Sequence, residues 1–149
     1  MNAIAHAIQK ARESGDANEL MKAIPYACFI GMQSHRFGDV WLYEMPYSQH
    51  IQGNPSLPAV HGGVIGGFME SAALVHCLIH LEGPGFPKVI DFSIDYLRAA
   101  LSKPTFAECS IVRQGRKIVN VSVHTWQTTR QEPVATARTH FLLSDPADQ

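Results

Sequence analysis

The sequence predicts an α+β fold in which a curved antiparallel sheet surrounds one long helix at about residues 62–81. From Val64 to Leu74 the chain is apolar or small except at Glu70 and Ser71, and a helix that is apolar nearly all round is a buried helix. After this helix the hydrophobic period changes from 3.6 to 2 in four successive segments. A helix followed by a run of strands indicates an α+β protein, and a sheet curved around the helix is the simplest way to bury it on all sides.

Length and composition indicate one globular domain over residues 1–149, with enough chain for a hydrophobic core. Hydrophobic residues make up 46% and charged residues 17% of the chain. The net charge of -1, without a basic cluster, disfavours nucleic acid as a partner. The apolar run begins among glycines and carries Glu70 and His76, which disfavours a membrane span. No signal peptide is visible and the three cysteines form no close pair, so we predict a cytoplasmic protein.

The part of the chain before the long helix predicts short helices, one strand and a loop. The segment 1–24 carries apolar residues at helical spacing, which predicts one or two amphipathic helices that pack on the rest of the protein and cover a ligand. Pro25–Gly31 is then a connector. Arg36–Met45 has the β-branched and aromatic content of a first strand, bulged at Gly38. Pro46–Pro58 follows as a loop that leads directly into the long helix.

Four strands are predicted after the long helix, which ends where Gly83 and Pro84 interrupt the pattern. They are Lys88–Leu97, Pro104–Arg113, Lys117–Gln127 and Val134–Leu143. Short turns between successive strands imply antiparallel neighbours. The polar tail 144–149 is predicted to fray, and the edges of the sheet suggest dimerisation.

Glu70 and the start of the long helix form the candidate site. An ionised carboxylate inside an apolar helix needs a partner or a shifted pKa, and a perturbed carboxylate in a cleft is a candidate functional group. The alternative is a structural charge paired with a buried arginine or a backbone N–H group. Gly62 and Gly63 leave backbone N–H groups open to a ligand at the positive end of the helix dipole. Together these groups can act on a carbonyl, because the carboxylate attacks or activates water while the N–H groups stabilise the oxyanion.

Two other features of the long helix have structural interpretations. Gly66 and Gly67 lie inside the helix, where glycine lowers helix propensity, so we interpret them as positions where the sheet packs closely on the helix. His76 and His80 have the i, i+4 spacing of a metal site. No HExxH pattern or nearby cysteine pair accompanies them, so we predict no metal.

The stretch GNPSLPAVHGG at 53–63, followed by ESAA at 70–73, resembles the signature of hotdog-fold acyl-CoA thioesterases of the phenylacetate-degradation (PaaI-like) type. In that family a His-Gly-Gly opens the central helix, and an Asp or Glu nine positions after the His is the catalytic carboxylate. His61 and Glu70 match that spacing. The later segments DFSIDYLRAA, VRQGR and VATA are also similar to strands of the family, so the resemblance covers roughly residues 25–143.

The resemblance implies hydrolysis of an acyl-CoA or aryl-CoA thioester to the free acid and CoA, without metal or organic cofactor. It implies a homodimer or homotetramer with active sites at the subunit interface. The Gly62 N–H would bind the carbonyl oxygen, Glu70 from the partner subunit would act as nucleophile or general base, and His61 would position the loop. Family members often carry an Asn or Gln six residues before the His; here that position is Pro55, and Asn54 takes the role if the loop is re-formed.

The substrate contacts implied by the resemblance are Gly63, Arg98, Arg116 and Lys117. The phosphates of CoA need Arg or Lys at the mouth of a pocket, and the turn that carries Arg116 and Lys117 is similar to the family's nucleotide-contacting turn. The alternative for these cations is an ordinary solvated hairpin.

Two other functions compete with hydrolysis. A non-catalytic acyl-CoA-binding protein can use the same fold, although an intact Glu70 argues against it. A hotdog hydroxyacyl-thioester dehydratase carries a catalytic His some fourteen residues before the carboxylate; here that position is Ser56, which disfavours the dehydratase.

Overall fold

The computed structural model describes residues 3–83 and 85–143. In chain order its elements are α1 (Ala3–Ser14), α2 (Asn18–Ala23), α3 (Pro25–Phe29), β1 (Gln33–Phe37), β2 (Val40–Met45), a short 3-10 helix (Gln49–Ile51), α4 (Gly62–His80), β3 (Lys88–Tyr96), β4 (Thr105–Gln114), β5 (Ile118–Trp126) and β6 (Ala135–Leu142). The tail 144–149, predicted to fray, lies outside the described residues.

The six strands form one antiparallel sheet in the order β1-β2-β4-β5-β6-β3. The pairs β4–β5 and β5–β6 are neighbours, as their short turns predicted. The pair β3–β4 is not, because the chain crosses the sheet after β3, which lies at the edge and pairs with β6. Register shifts at Val89/Asp91 and Ile111/Arg113 break the ladders locally, and such irregularities bend strands.

The long helix α4 packs against this curved sheet and confirms the predicted hotdog architecture. Its buried side chains include Phe68, Met69 and Val75, all without exposed surface. They meet the inner faces of the strands, where Val119, Val121 and similar residues alternate with polar ones. By length and hydropathy α4 would also qualify as a membrane span, but most of it is buried inside the fold, which accounts for its apolar composition.

One stripe of α4 is only partly covered by the sheet. Gly62, Gly63 and Glu70 are exposed, and Gly66 and Gly67 are half-buried. The prediction that the sheet buries the helix on all sides is therefore wrong for this stripe. The glycines of this stripe expose no apolar side chain, so this face of the helix can contact solvent while its other faces are apolar.

The N-terminal helices are attached to α4 through Arg12. Its guanidinium donates to the carbonyl oxygens of Leu78 and Ile79 at 2.9 and 3.1 Å, and also to the carbonyl of Leu81. These are among the last carbonyls of α4, which have no partner within the helix, and a cation there also complements the helix dipole. Arg12 of α1 thus supplies hydrogen-bond donors to carbonyl groups at the C-terminal end of α4.

Two predictions for the region before α4 need correction. Pro25–Gly31 is not a simple connector, because Pro25 is the first residue of α3, a position where its fixed φ favours a helix. Arg36–Met45 is not one bulged strand but part of the hairpin β1–β2, in which Phe37 pairs with Val40. Gly38 has φ +62°, as the first central residue of a two-residue type II′ turn requires.

Candidate active site

A cavity of about 540 Å³ opens at the N-terminal end of α4. Its walls come from the loop that precedes α4, the first turn of the helix, the end of β3 and the crossover that follows. The lining includes Asn54, Leu57, His61, Gly62, Tyr96 and Arg98. The cavity therefore lies where the first N–H group and the positive dipole end of α4 are directed.

His61 caps the helix with its side chain. The imidazole Nδ1 accepts a hydrogen bond of 2.9 Å from the Gly63 N–H, so the neutral ring carries its proton on Nε2. The Gly63 N–H is thereby used within the protein. Among the described residues nothing accepts from the Gly62 N–H, which is thus the free donor at this helix end.

Tyr96, which lies in the predicted strand Lys88–Leu97, also belongs to this cavity. Its hydroxyl donates to the Gly62 carbonyl oxygen at 2.7 Å. A Cβ built on Gly62 would lie 3.4 Å from the Tyr96 ring, at the limit of ordinary contact. In the sequence, Gly62 is the residue that indicates this contact. Because it has no side chain, the Tyr96 ring can approach the first turn of the helix.

Asn54 lines the cavity, but its carboxamide is engaged in the loop. Its Oδ1 accepts from the N–H groups of Ser56 and Leu57 at 2.8 and 3.3 Å, which is the Asx-turn that Asn favours. Gly53 packs against the loop's end, since a Cβ there would lie 2.7 Å from the Cα of His61. The loop is therefore held in one conformation next to the helix cap.

Glu70 does not reach this cavity within one protomer. It lies eight residues after Gly62 along the same helix, about 12 Å at 1.5 Å per residue. Its side chain is exposed rather than buried, which corrects the prediction of a carboxylate inside the core. The atoms packed around the carboxylate still raise the pKa of Glu70 above its usual value through partial burial.

Tyr26 on α3 covers the helix next to Glu70. A Cβ built on Gly67 would lie 2.5 Å from the ring carbon Cε1 of Tyr26 and 2.6 Å from its hydroxyl oxygen. The predicted close packing thus holds at Gly67, although the partner is a helix side chain and not the sheet. At Gly66 the nearest atoms, from Phe92 and Tyr96, are 3.8 Å away, so no close approach requires glycine there.

The predicted phosphate-binding cations lie at two ends of the sheet. Arg98 lines the cavity and donates to the Pro133 carbonyl oxygen at 3.0 Å. Arg116 and Lys117 stand in the β4–β5 turn, at the opposite end of β5. A nine-residue strand is about 30 Å long, so one protomer does not bring these two residues to the cavity.

His76 and His80 have structural partners. The His76 Nδ1 and the buried Tyr43 hydroxyl share a hydrogen bond of 3.0 Å, and the His80 Nδ1 donates to the His76 carbonyl oxygen at 2.9 Å. In the described parts of the chain no cluster of three or more His, Cys, Asp or Glu side chains is arranged to hold a metal ion.

An antiparallel sheet around a central helix, with a cavity at the N-terminus of that helix, defines a hotdog-fold protein. The sequence profile of the Thioesterase superfamily matches residues 57–134, more than half of the chain. The chain belongs to this superfamily, and membership supports thioester hydrolysis as its general activity.

Solved structures share this fold. A protein of Chromobacterium violaceum is 37% identical, with a TM-score of 0.76 over 95% of this chain and 98% of its own. A phenylacetic acid degradation-related protein of Ralstonia eutropha is 16% identical, with a TM-score of 0.76 over 95% and 100%. A Bacillus halodurans protein solved with CoA is 19% identical, with a TM-score of 0.74 over 97% and 95%. At such low identity the last two show the fold alone. A search of functionally curated proteins gives no match.

Proposed function

We propose that this protein hydrolyses an acyl-CoA or aryl-CoA thioester to the free acid and CoA, in a site shared between two subunits. The observation that carries the proposal is the separation of its two candidate reactive groups. The free Gly62 N–H opens into the cavity, whereas Glu70 is exposed about 12 Å further along the same helix. A thioester carbonyl contacts both kinds of group only if a second copy supplies the other one.

In the proposed reaction the thioester carbonyl oxygen accepts from the Gly62 N–H, which stabilises the oxyanion as the carbonyl carbon becomes tetrahedral. Glu70 of the partner subunit either takes a proton from the attacking water or attacks the carbon itself. The C–S bond then breaks and the CoA thiolate leaves. In the second route, water hydrolyses the resulting anhydride. His61 and Tyr96 keep the Gly62 peptide in place through the helix cap and the carbonyl hydrogen bond. This chemistry requires no metal or organic cofactor.

The edge strand β3 supports self-association. It pairs with β6 on one side only, and Val89, Ile90 and Tyr96 expose much of their surface. A long edge strand with exposed apolar side chains is a template for pairing with another chain. Two copies paired through β3 would form an isologous homodimer, and two such dimers a homotetramer.

The proposed CoA site also spans the two subunits. Arg98 stands at the cavity, and the partner subunit's Arg116 and the partner subunit's Lys117 would supply the remaining cations for the phosphates, because the turn of the same protomer is about 30 Å away. The Bacillus halodurans protein of the same fold, solved with CoA, supports CoA as the carrier.

The direct test compares Glu70→Gln with wild type in a thiol-release assay on a panel of acyl-CoAs and aryl-CoAs. We expect kcat/KM to fall by about 10²–10⁴, the usual contribution of a general base. The matched control is Glu82→Gln, which removes an exposed carboxylate just after the end of α4 and should leave the rate unchanged. A folded Glu70→Gln variant with wild-type activity would refute the assignment.

A second test isolates the Gly62 donor. His61 has φ -58° and ψ 132°, which suits a residue before proline, and proline is tolerated at the first helical position. Gly62→Pro therefore removes the N–H with the helix start retained, and we expect a loss of about 10²–10³ in kcat. Gly62→Ala adds a Cβ but keeps the donor, so its rate should exceed that of Gly62→Pro.

Mixing the two inactive variants tests whether the site is shared. In a dimer of Gly62→Pro with Glu70→Gln, one of the two sites combines an intact Gly62 with an intact Glu70. Random exchange of subunits should therefore restore about a quarter of wild-type activity. Mixtures that stay inactive although subunits exchange would show that each site is built from one protomer.

Non-catalytic acyl-CoA binding is the second candidate function. It is favoured by the loop, where Pro55 replaces the family's amide and the Asn54 Oδ1 is engaged by two backbone N–H groups. Calorimetric titration with acyl-CoAs discriminates the two functions, since binding without any thiol release by wild type would establish the binding protein.

A further inference from the structure

Two exposed aromatic rings stand on α3, and one of them lies beside Glu70. Tyr26 and Phe29 lie on α3 with ring centroids 6.2 Å apart, and their relative exposures are 38% and 60%. Large exposed aromatic side chains in a soluble protein commonly mark a contact surface. Tyr26 is adjacent to the candidate catalytic carboxylate, because it rests on Gly67, one helical turn before Glu70, and Phe29 is its neighbour on α3.

Phe29 is held in place although it is exposed. Phe29 packs edge-on against His50, with ring centroids 4.9 Å apart. The His50 imidazole is fixed at both nitrogens, by the Ser48 hydroxyl at 2.8 Å and by the Phe29 carbonyl oxygen at 3.3 Å. These contacts hold the 3-10 helix and α3 together. A rigid aromatic surface loses little conformational entropy when it contacts a ligand.

Tyr26 lies close enough to Glu70 to respond to its charge. Burial, and after it the negative charge of Glu70, raises the pKa of the Tyr26 phenol. The ring reaches this position only because residue 67 has no side chain. The glycine therefore sets how near the aromatic wall stands to the carboxylate.

We propose that Tyr26, resting on Gly67, is a specificity-determining residue that forms the wall of the acyl site beside Glu70 and favours large apolar acyl groups over acetyl. The inference rests on the proposed function, because Glu70 must be the group that acts on the thioester. An acetyl group is too short to contact the wall, whereas a six-carbon chain or an aromatic ring can pack on Tyr26 and Phe29. The uncharged rings of the wall suit an uncharged acyl group.

The experiment compares kcat/KM for benzoyl-CoA, hexanoyl-CoA and acetyl-CoA in wild type, Tyr26→Ala and Gly67→Ala. Gly67→Ala displaces the ring, since its Cβ would overlap Tyr26. Gly66→Ala is the matched control, because it adds the same methyl group to the same helix with 3.8 Å of clearance. Alanine also raises helix propensity at both positions, so both variants should fold.

We expect the preference for benzoyl-CoA and hexanoyl-CoA over acetyl-CoA to fall about ten-fold in Tyr26→Ala and Gly67→Ala, the effect of about 1.4 kcal/mol of lost contact. Gly66→Ala and the conservative Tyr26→Phe should keep the wild-type preference. The double variant Tyr26→Ala/Gly67→Ala should match Tyr26→Ala alone, because residue 67 acts through the ring.

Three results would overturn the inference. The first is a wild-type enzyme that prefers acetyl-CoA. The second is an unchanged substrate preference in Tyr26→Ala and Gly67→Ala, either with unchanged rates or with equal losses on all three substrates, which would make Tyr26 a structural residue. In both cases Glu70→Gln still loses activity. A wild-type protein that releases no thiol from any acyl-CoA would refute both this inference and the proposed function, and is thereby distinguished from the first two results.

Discussion

Buried His76 should make the stability of this protein fall with acid over a defined range of pH. The side chain is 8% exposed. Burial, and secondarily the charge of His80, lowers the pKa of His76 to about 3, whereas the pKa of a histidine in the unfolded chain is about 6.5. Between these two values the unfolded chain binds a proton that the folded chain does not, so the free energy of unfolding decreases as the pH falls.

The size of the effect follows from the two pKa values. Within the window each pH unit costs about 1.4 kcal/mol, and the whole window amounts to about 5 kcal/mol. A small domain has a total stability of about 5–15 kcal/mol. His76 alone is therefore expected to remove a large part of the stability by pH 4.

Urea unfolding at pH 7, 6 and 5 measures this slope in wild type and in His76→Asn. Asparagine does not titrate and keeps a polar atom for the Tyr43 hydroxyl, so the difference between the two curves isolates the histidine. His80→Gln is the control. It removes the smaller cause of the lowered pKa of His76 and leaves its burial in place, so the dependence of stability on pH should persist. Parallel pH curves for wild type and His76→Asn would refute the reasoning.

Three further predictions concern the helix ends and the carboxylate. Arg12→Met should lower the free energy of unfolding by about 2–4 kcal/mol, because three carbonyls of α4 lose a charged donor, whereas Lys10→Met breaks an exposed ion pair and should cost under about 1 kcal/mol in the same denaturation assay. Gly53→Ala should destabilise by about 1–3 kcal/mol and lower the thiol-release rate, since its Cβ meets the His61 backbone; an unchanged melting temperature would contradict this. The acid limb of kcat/KM against pH should lie above pH 4.5, because partial burial raises the pKa of the ionised base Glu70; a limb at or below 4.5 would contradict it.

The strands β4, β5 and β6 were predictable because buried and more exposed residues alternate along them, and α4 was predictable because it is apolar nearly all round. The burial of β3 does not alternate, since none of its residues is buried. Val119, Val121 and Val123 are buried while their neighbours on β5 are more exposed, which is the alternation that the sequence displays. The helix start was also predictable, because His61 and the glycines are local signals that act within one turn. Patterns of this kind depend only on residues that are close in sequence.

The remaining features depend on contacts between distant segments. Nothing in residues 88–104 indicates that β3 pairs with β6 rather than with β4. Tyr26 and Tyr96 reach α4 from elements that are 34 or more residues from their contacts. The exposure of Glu70 follows from which stripe of the helix the sheet leaves open, and hydrophobic pattern alone does not reveal this for a helix that is apolar nearly all round.

The attachment of α1 by Arg12 bears on how proteins of this kind can diverge. The family profile covers 57–134, which includes the helix cap and Glu70 but neither Arg12 nor Tyr26. The segment that precedes it nonetheless contacts α4 at two places, because Arg12 binds carbonyls at the C-terminal end of α4 and Tyr26 lies over Gly67. Exchange of the first 30 residues would therefore change what lies next to Glu70 and leave the residues of α4 as they are. A chimera that keeps an arginine at position 12 is the natural test of whether this segment sets the proposed substrate preference.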